Sequence, residues 1–162
     1  MLRALPSLFL CLVVGSGFAA PSATPAANVS IELPWARATP PGVQVGAAYA
    51  VIANQGPATD RLLKVTTPAS ARVEIHSTTQ VAGRMQMRPV TELDVPAGAR
   101  ITFGPGGMHL MLVDLKAPLR AGTQLELTFV FEKAGAIAVQ ATVAPIGSSL
   151  PAEEDASHHA HH

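Results

Sequence analysis

Gln124-Leu125-Glu126-Leu127-Thr128-Phe129-Val130-Phe131-Glu132 places large apolar residues at 125, 127, 129 and 131, alternating with Glu126, Thr128, Val130 and Glu132. A period of two is strand geometry, because successive side chains on a strand project to opposite faces. One buried and one largely wet face is what an antiparallel sheet lying on a core requires. Working outward, short β-rich segments recur near 29–33, 47–53, 61–66, 72–76, 85–90, 100–103, 109–115 and 136–143. Turn signals separate them, most plainly Asn54-Gln55-Gly56-Pro57, Pro96-Ala97-Gly98, Gly104-Pro105-Gly106-Gly107 and Arg120-Ala121-Gly122. No long stretch of helical period competes. The expected fold is all-β, with short strands in a sandwich or barrel.

The termini read differently from this middle. Arg3, the apolar segment 4–14 and the small residues Gly15-Ser16-Gly17-Phe18-Ala19-Ala20 have the three-part layout of a secretory signal peptide, too short for a membrane span. Residues 1–19 are therefore expected to be a signal peptide and 20–27 a Pro/Ala linker. The β-domain is expected over 28–146. Cys11 is the only cysteine and would leave with the signal, and the bulky Leu10 before it argues against a lipidation site. The exported domain then has no disulfide and no thiolate ligand, which excludes a blue-copper centre and Cys-rich zinc sites. Residues 147–162 contain Glu153-Glu154-Asp155 and His158, His159, His161 and His162, a polar tract that cannot bury a core and is expected to be disordered. Its imidazoles and carboxylates suit a divalent ion, and copper(II) is the expected ligand of this second site.

What remains is about 120 residues, enough for one domain with its own core. The whole chain carries 11 basic and 11 acidic residues, and no basic stripe suggests nucleic acid. Arg61, Lys64, Arg72, Arg84, Arg88 and Arg100 are scattered and are expected to be solvated surface. Gly104-Pro105-Gly106-Gly107 lacks the Lys-Ser/Thr end of a phosphate loop and reads as a turn before Met108. Ser77 beside His76 makes no triad without a third orienting group, and no metalloprotease helix motif appears. The chain is not expected to be an enzyme.

The residues that carry chemistry are His76, Met87, His109 and Met111. Thioether sulfur binds copper(I) well and zinc, magnesium or calcium poorly, while neutral imidazole suits copper. His109 and Met111 lie two apart on one expected strand and so share a face. His76 ends an alternating run, Arg72-Val73-Glu74-Ile75-His76, on the face of Glu74, which is expected to be wet. Met87 follows the Ala82-Gly83 turn signal, so a hairpin would return it towards His76. Taken singly, a Met in a strand is usually core filler and a His usually a hydrogen-bonded scaffold residue. Met85 and Met108 are left in that structural role.

Ten residues separate His76 from Met87 and twenty-one separate Met87 from His109. With His109-x-Met111 closing the set, the pattern resembles that of the PCu(A)C family of periplasmic copper chaperones. Pro34-Trp35-Ala36-Arg37-Ala38, Gly46-Ala47-Ala48-Tyr49, Met87-Arg88-Pro89-Val90 and 106–112 also look like that family's landmarks, and the resemblance covers roughly residues 28–144. One departure is Ser77-Thr78-Thr79 after His76, where many members carry a Met. The resemblance implies a cupredoxin-like sandwich in the periplasm, and a single-domain monomer is expected. It also implies copper(I) as cargo and delivery to an exported acceptor, the copper site of cytochrome oxidase or its assembly factors. Copper sequestration without a dedicated recipient is the alternative use of the same ligands.

Overall fold

The computed structural model describes residues 28–149, which form ten strands: β1 (Val29–Arg37), β2 (Val45–Asn54), β3 (Asp60–Thr66), β4 (Ser70–Val81), β5 (Arg84–Val90), β6 (Leu93–Val95), β7 (Arg100–Phe103), β8 (Met108–Leu115), β9 (Gln124–Phe131) and β10 (Gly135–Ala144). The expected signal peptide and linker, and residues 150–162 of the tail expected over 147–162, lie outside the described residues; Ser148 within that tail is described, and its carbonyl accepts from Arg37 Nη2 at 2.7 Å. No helix among the described residues is long and apolar enough to cross a membrane. The strands hydrogen-bond in the order β5-β4-β8-β7-β2-β1-β10-β9-β3-β6, with β8 also pairing β2. The path doubles back on itself as a cupredoxin-like β-sandwich. Ile75, Leu110 and Leu112 from one half join Val65, Leu127 and Phe129 from the other in one buried cluster.

The opening alternation is realised on β9, where Leu125, Leu127, Phe129 and Phe131 are buried and Gln124 and Glu126 are exposed. Most pairings are antiparallel, but β1 runs parallel to β10, with Trp35 opposite Thr142. The sheet is therefore mixed. A register shift between Glu32 and Trp35 interrupts the β1–β2 pairing where Leu33 has φ 48° and Pro34 has no N–H to give. Such a bulge bends a strand, and beyond it Trp35 packs on Tyr49 with ring centroids 4.4 Å apart. β6 was not expected from the sequence, because its three residues are too few to show a period. β4 continues five residues past His76, since Thr78, Thr79 and Val81 are β-formers that the pairing with β5 recruits.

Asp60 ties the second half of the sandwich together. It is buried at the start of β3, and its carboxylate accepts from the backbone N–H groups of Arg61 (2.7 Å), Lys133 (2.9 Å) and Ala134 (2.8 Å). Burial alone would raise its pKa, but these three donors and the Lys133 charge hold it below the ordinary aspartate value. Removing it leaves the turn between β9 and β10 with unpaired donors. Asp60→Ala should cost about 2–4 kcal/mol in urea unfolding. Because the folded pKa is depressed, this stabilisation is present above the unfolded value of ~3.9 and is lost as pH falls through the folded value. The stability gap between wild type and Asp60→Ala should therefore shrink below about pH 4, and a gap that stays constant down to acid unfolding would contradict the clamp.

Candidate metal centre

The hairpin between β4 and β5 turns through Ala82 (φ 49°) and Gly83 (φ 78°), two central residues with positive φ, as a tight hairpin of matching twist demands. That turn sets Thr78 opposite Met87 and His76 opposite Pro89. On its other side β4 pairs with β8, setting His76 opposite His109 and Glu74 opposite Met111. Paired residues share a face, as do residues two apart on a strand. His76, Met87, His109 and Met111 therefore all project from the outer face of three neighbouring strands, while Ile75 and Leu110 turn to the core.

The two imidazole rings lie 5.8 Å apart between centroids, edge to face. His109 is fixed from below: its Nδ1 is 3.1 Å from the Gly107 carbonyl. The turn at 104–107 holds that carbonyl in place, with Gly106 at φ 81° and the Gly107 N–H donating to Gly104 O. His76 Nε2 lies 3.0 Å from Glu74 Oε2, and its Nδ1 is buried with no hydrogen-bond partner. Glu74 Oε1 accepts from Arg72 Nε at 2.9 Å, and Arg72 Nη1 donates to Asp114 at 2.8 Å. The Arg72 hydrogen bond holds the Glu74 carboxyl below the usual glutamate range, against a smaller opposing effect of desolvation. The same bond raises Arg72.

The outer face is less uniformly wet than the sequence implied. The His76 side chain is only 12% exposed, since His109 stands directly across from it, whereas Met87 is 52% exposed. His109 and Met111 also line an open groove of about 310 Å³ with Arg37, Val43, Val45 and Ile146. Met85 is two pairs nearer the turn, opposite Gln80, and exposed, so it does not pack as core as expected; Met108 packs against the core, in keeping with the structural role expected of it. The scattered arginines are not all bare surface: Arg61 pairs with Asp94 and Glu92, Arg72 with Glu74 and Asp114, and Arg100 with Glu32. Glu74 and Arg72 were missed as parts of the site, although Arg72-x-Glu74-x-His76 already placed all three on one face.

The donor set decides what the face can hold. Among the described residues no three His, Cys, Asp or Glu side chains cluster, while the face that carries the two imidazoles also carries the thioethers of Met87 and Met111. Two imidazoles with two uncharged thioethers suit a soft, low-charge ion such as copper(I). The Nδ1 of His76, buried with no hydrogen-bond partner, is an atom that such an ion would satisfy.

Residues 29–143 match the model of the family described as "Putative lipoprotein LpqE-like". Protein Lxx21020 of Leifsonia xyli is 31% identical over 105 residues, covering 64% of this chain. The matches span 62% and 61% of the length of Lxx21020 and of RP573 of Rickettsia prowazekii. The apo PCuAC domain of PmoF2 superposes with a TM-score of 0.67 at 29% identity, covering 76% of this chain and 95% of that one. Its copper-bound form gives 0.62 at 30% identity, over 73% and 93%. The copper(I) form of DR1885 from Deinococcus radiodurans gives 0.53 at 26% identity, over 76% and 81%. The chain belongs to the LpqE-like family, and its β-sandwich is that of the PCuAC-type copper chaperones.

Proposed function

We propose that the protein is a periplasmic copper chaperone that binds one copper(I) through His76, Met87, His109 and Met111 and passes it to an exported acceptor. The observation that carries this reading is the shared register of β5, β4 and β8, which gathers two imidazoles and two thioethers on one outer face. The copper-bound forms of PmoF2 and DR1885 support it from outside the chain. The acceptor suggested by the family resemblance is the copper-binding subunit of cytochrome oxidase or an assembly factor serving it. The expected signal peptide at 1–19 accounts for the location, and the β-domain at 28–146 acts as a monomer.

A carrier must release its cargo as well as hold it. Neutral imidazole and thioether ligands bring no negative charge to the ion, so thiolates of an acceptor form stronger bonds to copper(I) and draw it away. The open groove beside His109 and Met111 gives such thiolates an approach on the outer face. An incoming sulfur binds before a resident donor leaves, and the ion passes between proteins without becoming free in solution. The carboxy-terminal His158, His159, His161 and His162 form a second, independent site for copper(II), where imidazole and carboxylate donors suit the divalent ion.

The core site is tested by copper(I) X-ray absorption and chelator competition. Sulfur should appear in the first shell, and Met87→Leu with Met111→Leu should weaken binding by more than the about 10–100-fold that outer-sphere changes bring. Wild-type affinity should fall as pH falls, because protons and copper compete for the same imidazole lone pairs. A shell of nitrogen and oxygen alone would remove the proposed site.

Truncation after Pro151 should abolish the carboxy-terminal copper(II) site and leave copper(I) binding intact. Unchanged copper(II) stoichiometry in the truncated protein would show that the His-rich tract is not that site. Transfer is tested by mixing the copper(I)-loaded protein with a reduced, thiol-bearing apo-acceptor in the presence of a chelator that traps free copper(I). The acceptor should load while the chelator stays empty. Copper that remains on this protein at equilibrium would favour sequestration.

A further inference from the structure

We infer that Glu74 is a positioning residue for the copper site, holding His76 in the tautomer that frees its Nδ1, so that copper meets Nδ1 of His76 and Nε2 of His109. This rests on the copper reading above, but its evidence is separate: the hydrogen bonds that leave each ring one nitrogen.

The Glu74 carboxyl accepts from the Arg72 guanidinium at Oε1, as an ionised carboxylate does. An ionised carboxylate only accepts hydrogen bonds. The 3.0 Å contact between Glu74 Oε2 and His76 Nε2 therefore places the proton of a neutral His76 on Nε2 and the lone pair on Nδ1. That Nδ1 is buried and has no hydrogen-bond partner. His109 is arranged the other way round. Its Nδ1 faces the Gly107 carbonyl, which also only accepts, so Nδ1 carries the proton and Nε2 the lone pair. Two rings directly opposite each other on β4 and β8 are thus locked in opposite tautomers.

Glu74 has a second consequence for the site. It stands opposite Met111 on the ligand face, where a free carboxylate would offer a hard oxygen donor and favour divalent ions. Both of its oxygens are engaged, one by Arg72 and the other by His76. Arg72 is itself anchored to Asp114 on β8. The chain Asp114-Arg72-Glu74-His76 therefore orients the imidazole, strengthens it as a donor and withholds the carboxylate from the metal.

The test uses the purified, 15N-labelled protein, with long-range 1H–15N correlation spectra of the imidazoles before and after copper(I) is added. In the copper-free protein, neutral His76 should carry its proton on Nε2 and neutral His109 on Nδ1. Copper(I) should shift Nδ1 of His76 and Nε2 of His109. Glu74→Ala should release the His76 tautomer and weaken copper(I) binding about 10–100-fold in chelator competition, with no change in the unfolding midpoint of the copper-free protein. Glu74→Gln keeps a carbonyl acceptor and should recover most of the loss. If wild type binds copper through sulfur but His76 carries its proton on Nδ1, or if Glu74→Ala binds as wild type does, the inference fails while the copper site stands. If wild type binds no copper(I), both fail.

Discussion

Side chains on a strand change face at every residue, so the pairing that sets Ile75 against Leu110 in the core also sets His76 against His109 on the outside. A slip of one residue between β4 and β8 would bury an imidazole and expose a leucine. The hydrophobic core thus specifies the donor constellation indirectly. Burying Ile75, Leu110 and Leu112 is favourable by roughly 1.5–3 kcal/mol for each side chain, and those same contacts prevent the slip. The four donors need no stabilising contacts with one another to be gathered in one place. On the proposed reading, metal can then come and go without disturbing those core contacts.

Much of this was legible in the sequence, for identifiable reasons. The β9 alternation is long enough to show its period, and Ala82-Gly83 marks the hairpin that returns Met87 to β4. His109-x-Met111 is a local signature that needs no tertiary knowledge. Less legible were features that depend on partners distant in sequence. The parallel contact between β1 and β10 joins residues more than a hundred positions apart, and β6 exists only because Asp60, Arg61 and Leu62 pair with it. The burial of His76 depends on a ring from another strand. The tract around Glu74 was read correctly as one face, yet the hydrogen bonds that give that face its order join side chains and cannot be counted from spacing.

The electrostatics follow the same division. A chain with balanced formal charge gives no overall field, and its arginines appear scattered in sequence. In three dimensions Arg61 and Arg72 each find a carboxylate on a neighbouring strand, and Arg100 reaches Glu32 across β2. At exposed positions such pairs contribute little to stability. Arg72 matters for a different reason, because it holds the Glu74 carboxylate that faces the His76 imidazole. The turn at 104–107 plays the corresponding part for His109 with a backbone carbonyl in place of a carboxylate. One ring is therefore oriented by a side chain that selection can alter and the other by the backbone.

Met87 differs from its three companions in the kind of strand that carries it. β4 and β8 are bonded on both sides, whereas β5 is the last strand of its end of the sheet and bonds only to β4. Pro89, which has no N–H, is tolerated there because an outer strand has ladder positions with nothing to pair. Strands held on one side open locally at a lower free energy than the body of a domain. On the proposed reading, three donors sit on a rigid floor and the fourth on a hinged flap, so fraying of the hairpin from its outer strand would lower the coordination number before any core contact is lost. The edge that most sandwich proteins must guard against aggregation would here act as a release catch.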